Sequence, residues 1–183
     1  LGTPCQIDAL KSYLGEDYDN LVTMDLVCHG VPSNQFFLDY IGLLESRNKM
    51  QIIDYKFRSK SKDGLCTIGY VEYLKNNKRR KKNINYATDY YAYFFKESLI
   101  NRDSCYHCPY ASSNRSADFT VGDYWGIEEA HPEVNINKAV SLLLANSRKA
   151  LEILDSLDLD LIRSDLERAS RKNKNLCYPT IMR

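Results

Sequence analysis

"LVTMDLVCHGVPSNQFFLDYIGLL", Leu21 to Leu44, is the stretch on which the fold turns. Leu21–Cys28 is a nearly continuous apolar run of strand length, the pattern of a strand buried on both faces. His29-Gly30-Val31-Pro32 reads as a turn. Ser33 is then placed to cap a helix that carries Phe36, Phe37, Tyr40, Ile41 and Leu44. Upstream, Thr3-Pro4-Cys5-Gln6 has the form of a capping box with proline at the first helical position. Ile7, Leu10 and Leu14 share one face of that helix, and Gly15 supplies its stop. A helix, a buried strand and a second helix in succession predict the α/β class, with α+β as the alternative. The expected core is a mixed, partly parallel sheet flanked by helices.

Further along, Ile52–Phe57 reads as a strand and Arg58–Gly64 as a basic loop. Thr67–Leu74 and Lys81–Tyr86 predict a hairpin insertion turning at Asn76-Asn77. Thr88–Leu99 is an aromatic helix with Tyr90, Tyr91, Phe94 and Phe95, followed by a cysteine-rich loop. Strands follow at Asp118–Val121 and Ala139–Leu144, then a helix through Leu151 and Leu154. No internal repeat or low-complexity linker interrupts the chain. The expectation is a single domain over 1–183, a C-terminal fragment of a longer protein, with 156–183 as a helical, charged tail.

With 183 residues and 44% hydrophobic content, the chain is long enough for a true core. Its 25 basic and 24 acidic residues leave no whole-chain charge to draw it to nucleic acid or a membrane surface. No apolar run is long enough to span a bilayer; the best candidate, Ala139–Ala145, is strand-sized, and a cytoplasmic location is the default. The six cysteines are Cys5, Cys28, Cys66, Cys105, Cys108 and Cys177. Because a chain of this size needs no staples and carries no export signal, metal binding or plain burial is expected ahead of a disulfide framework.

Cys105-x-x-Cys108 is a chelating pair, and zinc sites, redox dithiols and iron–sulfur clusters all use that spacing. A full centre needs two more ligands. Cys5 lies in the first turn of a helix, where the helix dipole suits an anionic ligand. Cys28 ends a buried strand, in the crevice where open sheets place ligands. Both are also explained as small buried hydrophobes. Cys66 in a strand and Cys177 in the tail are read as structural.

His29 is a turn residue with a second reading as ligand or proton donor. His107 is expected to be exposed, and His131 has no evident role. Lys78–Lys82 (KRRKK) reads as a solvated hairpin tip rather than a nucleic-acid patch. Arg58, Lys60 and Lys62 form a basic loop suited to phosphate or carboxylate, or simply solvated. In GDYWG, Gly122 and Gly126 give backbone freedom, Asp123 an acid and Trp125 an aromatic cover for a flat cofactor, unless the turn is only packed on the core. No dinucleotide, Walker, nucleophile-elbow or HExxH signature is present.

Taken in order, GTPCQ (Gly2–Gln6), CHGVPS (Cys28–Ser33), YKFRSK (Tyr55–Lys60), RDSCYHCPYA (Arg102–Ala111), R-x-x-DFTVGDYWG (Arg115–Gly126) and KAVSLLLANS (Lys138–Ser147) are distinctive. The chain, over about residues 1–155, resembles the C-terminal region of the coenzyme F-420 hydrogenase/dehydrogenase beta-subunit family. That resemblance implies an iron–sulfur flavoprotein, with Cys5, Cys28, Cys105 and Cys108 as ligands of a 4Fe–4S cluster. It implies FAD as partner cofactor, held with an upstream flavin-binding segment, and coenzyme F-420 or another organic molecule as acceptor. Ferredoxin, or a fused ferredoxin-like domain, is the implied redox partner. His29, Gly30, Arg58, Lys60, Gly122, Asp123, Trp125 and Gly126 become candidates for flavin or substrate contact. The basic loop departs from the family pattern at Leu65, where tryptophan is common, and Asn137-Lys138-Ala139 replaces a lysine–glycine step. The rival reading is a non-catalytic, zinc-stabilised interaction domain built on the same four cysteines.

Overall fold

Proline at position 4 starts the first helix, and Gly15 ends it in the left-handed conformation (φ 72°). The computed structural model describes residues 1–60, 66–85, 87–134 and 140–182, with the backbone alone at 60 and 66–68. Lys62, Gly64, Leu65, Tyr86 and Asn137–Ala139, which figure in the sequence reading, lie outside these residues. The described elements are α1 (Pro4–Leu14), β1 (Met24–Leu26), α2 (Asn34–Asn48), β2 (Gln51–Lys60), β3 (Cys66–Lys75), β4 (Lys78–Asn83), α3 (Tyr90–Lys96), α4 (Asp103–Tyr106), β5 (Phe119–Asp123), α5 (Ile127–Ala130), β6 (Ser141–Ala145), α6 (Arg148–Asp155) and α7 (Leu166–Ser170), with a 3-10 turn at Lys174–Leu176. The architecture is mixed α/β, with one partly parallel and one antiparallel three-stranded sheet flanked by helices.

Two compact units share these elements. The first comprises the described residues of Leu1–His29, His107–Ile136 and Val140–Thr180. Its sheet has the order β1-β5-β6, with β1 parallel and β6 antiparallel to β5. The strand expected over Leu21–Cys28 shortens to β1, and it is not apolar on both faces. Thr23 and Asp25 are its buried residues, whereas Val22 is 46% and Leu26 39% exposed.

What fixes β1 is polar. The Asp118 carboxylate accepts from the Thr23 backbone N–H and hydroxyl, each at 2.8 Å, and from the Ser147 hydroxyl at 2.7 Å. Ser147 in turn caps α6 by accepting from the Ala150 N–H. One carboxylate thus joins the start of β1, the start of β5 and the start of α6. Burial pushes the Asp118 carboxyl up, but the hydrogen bonds from Ser147 and Thr23 outweigh it and hold it below the ordinary carboxylate range.

The tail contributes core as well as charge. Ala169 and Leu176, the latter with 0% exposure, pack with Tyr124 and Leu142. Arg115 and Asp25 form a buried ion pair at 3.7 Å, and Arg115 also donates to the Asn175 carbonyl in that tail. Burial raises the Asp25 carboxyl, while Thr120 and the Arg115 charge pull it down.

The second unit comprises the described residues of Gly30–Tyr106, with Ile181 and Met182. Its antiparallel sheet has the order β2-β3-β4. The hairpin turns at Asn76-Asn77, both at positive φ (53° and 56°), the pair a two-residue hairpin turn of primed type requires. Every residue of β4 is exposed. Its run of lysine and arginine therefore decorates a sheet edge and discourages further strand pairing. Aromatic packing makes the core: Phe37 meets Tyr91 at 4.9 Å and Tyr55 at 5.3 Å, and Tyr40 stacks on Tyr91 at 5.8 Å between ring centroids.

Several boundaries differ from expectation. Strand β2 continues through Lys60, so Arg58 and Lys60 lie on a strand paired with Ile68 and Cys66 rather than in a loop. The aromatic helix is shorter than Thr88–Leu99, because Asp89 caps it by accepting from Ala92 and Ser98 turns left-handed. Ser33 occupies the N-cap of α2 without a side-chain bond, and Leu10 on α1 is exposed. Among the described residues no helix is long and apolar enough to cross a membrane.

Two outcomes follow from the polar groups of the first unit. Asp118→Ala is expected to cost about 3 kcal/mol, since hydrogen bonds to a buried carboxylate are lost together. Because the folded-state pKa is depressed, the native contribution is complete above the ordinary carboxylate range and is lost as pH falls through the lower folded value. Urea melts between neutral and acid pH check both statements; equal midpoints for the two proteins at neutral pH refute the first. Arg115→Ala leaves Asp25 buried without its counter-charge, at a cost of about 3 kcal/mol. Its folded pKa then lies still further above the unfolded value, so the deficit against wild type shrinks as pH falls.

Candidate functional site

The parallel pairing of β1 with β5 sets one edge of the first unit's sheet. Gly2 pairs in parallel with Asp25, its N–H donating to the Met24 carbonyl at 3.1 Å. The chain entering α1 therefore runs alongside β1 in the same direction. Cys5 and Cys28 both emerge beyond the C-terminal end of β1, the edge at which open sheets carry ligands. The GDYWG segment leaves that edge from β5.

Cys5 is the second residue of α1 and is exposed. The Thr3 hydroxyl lies 3.2 Å from its sulfur, and the Gln6 side chain accepts from the Thr3 N–H at 2.9 Å. One turn on, Asp8 accepts from the Tyr110 hydroxyl at 3.1 Å and from the Ser116 hydroxyl at 2.7 Å. These bonds anchor the loop after Cys108 to α1. The Tyr110 phenol is raised above its ordinary value, first by the hydrogen bond to Asp8, then by the Asp8 charge, by burial and by Cys5 and Cys108. Asp8, Tyr110 and Ser116 were not singled out by sequence, and no motif marks them. The only available hint is that Asp8 follows Cys5 by three residues on a helix.

Cys105 belongs to the second unit and Cys108 to the first, the division falling between Tyr106 and His107. Cys105 sits in the helical turn α4 rather than in a loop. Its sulfur accepts the Val31 N–H at 3.4 Å, and its own N–H donates to Arg102. Val31 also holds the Arg102 N–H through its carbonyl, and Pro32 bridges to Asn101. Gly30 is at φ 119°, and a Cβ there would overlap the Asn101 side chain, so the turn demands glycine. Tyr106 steadies this segment by donating to the Ser98 carbonyl at 2.6 Å and accepting from Asn101. In the first unit, the His29 carbonyl accepts from the Thr180 hydroxyl at 2.6 Å.

The remaining candidates disperse. Gly122 and Asp123 lie within β5 rather than in a turn, and Gly122 is small because Val27 Cγ2 would be 2.8 Å from an added Cβ. Gly126 is left-handed (φ 80°), and Trp125 is 57% exposed. Arg58 is exposed on β2 of the second unit, and His107 is exposed as expected. Cys177 packs against the first unit's core, in keeping with a structural role.

Thiolates with a backbone N–H donated to sulfur are a donor set suited in chemistry to a soft metal centre. Among the described residues, no three His, Cys, Asp or Glu side chains are gathered around one metal-sized position.

The partly parallel sheet and the antiparallel hairpin sheet, each flanked by helices, define the mixed α/β class. The chain belongs to the family described as the C terminus of the coenzyme F420 hydrogenase/dehydrogenase beta subunit, whose model matches residues 1–163. No curated protein and no solved structure matches it. The family is one of oxidoreductase subunits, and the match carries past the expected limit near residue 155 into the tail.

Asp8→Ala is expected to bring the Tyr110 phenol down toward its ordinary value, because the two largest causes of its elevation disappear. A pH titration of ring-labelled tyrosine by NMR, assigned with Tyr110→Phe, reads this directly. An unmoved Tyr110 titration refutes the coupling.

Proposed function

We propose that this chain is the electron-transfer part of an iron–sulfur flavoprotein oxidoreductase, with Cys5, Cys28, Cys105 and Cys108 as the ligands of a 4Fe–4S cluster. The observation that carries this reading is that α1, which bears Cys5, is tied through Asp8 to Tyr110 in the loop after Cys108, in a chain of this family. When bound, such a cluster supplies single-electron exchange, and FAD converts that into hydride transfer to coenzyme F-420 or another organic acceptor. Ferredoxin, or a ferredoxin-like domain, is the partner with the matching chemistry.

The chain's own residues have definable parts in this scheme. The Val31 N–H stabilises negative charge on the Cys105 sulfur. Asp8, itself held by the Ser116 hydroxyl, accepts from Tyr110 and so anchors the loop after Cys108. The exposed face of Trp125 offers a stacking surface for a flat ring system, and Gly126 lets the backbone turn beside it. Gly30, by its left-handed turn, orients the Val31 N–H. His29, Arg58, Lys60, Gly122 and Asp123 complete the proposed contacts to flavin or substrate.

The test is anaerobic preparation of the full chain with iron and sulfide, followed by its visible spectrum and assays of iron, sulfide, zinc and flavin. Brown protein with iron and sulfide in equal amounts is the expected result, with iron lost in Cys105→Ser. Iron content unchanged by that substitution overturns the ligand assignment. Colourless protein loaded with zinc overturns the electron-transfer reading in favour of a structural centre.

A further inference from the structure

His131, which the sequence left without a role, is buried in the first unit at the end of α5. Its Nε2 lies 2.8 Å from Ser164 Oγ, and its Nδ1 lies 3.0 Å from Glu133 Oε1. The Tyr124 hydroxyl stands 2.7 Å from the same Ser164 Oγ, and its ring packs edge-on to His131. These side chains come from the residues just after β5, those just after α5 and the segment before α7, so the constellation is tertiary and invisible to motif searches. With Nδ1–H donating to Glu133, Nε2 is the acceptor, and the Ser164 hydroxyl donates to it. Glu133 is held below its ordinary value by a backbone hydrogen bond and by that from His131, so it stays an acceptor at neutral pH.

The group opens on a pocket of about 430 Å3, whose lining includes His131, Ser164 and Tyr124. Leu142, Leu154 and Leu161 give much of the remaining wall apolar character. A nucleophile, its base and a phenolic donor thus face a space that suits a hydrocarbon chain, while the orienting Glu133 carboxylate lies outside the pocket lining at the other side of the imidazole.

We propose that Ser164, His131 and Glu133 form a second site, a serine-nucleophile centre that hydrolyses esters of apolar acyl groups. Ser164 Oγ bonds to the acyl carbonyl carbon as its proton passes to His131 Nε2. The Tyr124 hydroxyl donates to the carbonyl oxygen as that atom becomes anionic. The bond from carbon to the leaving alkoxy oxygen breaks, and the alcohol departs with the proton from His131. Water then gives a proton to His131 and its oxygen to the acyl carbon, releasing the carboxylic acid and restoring the Ser164 hydroxyl. Ser164 and His131 are the catalytic residues, Tyr124 the oxyanion donor and Glu133 the positioning residue.

The experiment uses the full chain with a fluorophosphonate probe and p-nitrophenyl butyrate. Peptide mapping is expected to find the phosphonyl adduct on Ser164. Ser164→Ala abolishes it and lowers ester hydrolysis by about 100-fold or more, whereas Glu133→Gln lowers kcat about tenfold at unchanged KM. Far-UV circular dichroism and melting curves accompany each variant, and if Ser164→Ala does not fold, an unchanged kcat in Glu133→Gln, at an exposed side chain, overturns the proposal. Folded wild-type protein without an adduct at Ser164 overturns the proposal, as does hydrolysis that Ser164→Ala leaves unchanged.

Discussion

The Asp118 carboxylate is the constraint on which the first unit depends. Strand β1 contributes only three residues to its ladder, too short a pairing to fix its own register. Two donors from Thr23 on one carboxylate oxygen, and Ser147 on the other, leave little freedom along the strand direction. Once β1 is set, Gly2 follows by pairing with Asp25, and α1 begins where that pairing ends. Cys5 and Cys28 thus inherit their placement from a carboxylate at the opposite end of the sheet. The arrangement separates the group that sets geometry from the groups offered for chemistry.

Local signals were legible in the sequence where the backbone itself enforces structure. Proline at position 4, glycine at 15 and Asn76-Asn77 each correspond to a helix start, a helix stop and a hairpin turn. Burial was less legible. The apolar run from Leu21 suggested a strand covered on both faces, yet Thr23 and Asp25 are what it buries, because their partners lie 95 residues and 90 residues away, at Asp118 and Arg115. The tail misled in the same manner. Its charged composition hid Ala169 and Leu176, two small stretches of core that periodicity is too short to reveal.

The cysteine site divides similarly. Spacing and motif order identified the cysteines, and Gly30 was placed in a turn whose geometry does require glycine. Spacing had no access to Asp8, Tyr110 and Ser116, since they meet only when α1 and the loop after Cys108 are folded. Basic residues signal solvent and so suggest a loop at Arg58 and Lys60, but the solvent that Arg58 meets is equally available on a strand of a hairpin sheet. His131 shows the converse failure: an isolated histidine with no sequence motif gained Ser164, Glu133 and Tyr124 as neighbours through tertiary packing.

The buried pair Asp25 and Arg115 carries the argument one step further. Both side chains are about 1% exposed, so each has surrendered most of its hydration. Attraction across 3.7 Å does not assure a net gain over two apolar residues of the same volume, because desolvation of the two charges opposes it. What an apolar pair lacks is direction. Arg115 reaches from the segment before β5 to a residue of β1 and, with its other nitrogen, to the Asn175 carbonyl near the 3-10 turn. A slip of β1 by one residue would turn Asp25 away and strand the guanidinium in the interior, an error costing several kcal/mol on the scale of an unpaired buried charge. Asp118 and Arg115 therefore act on the same short strand from two sides, one by hydrogen bonds at its start and one by charge within it. Between them they define the register from which the cysteine-bearing edge is built.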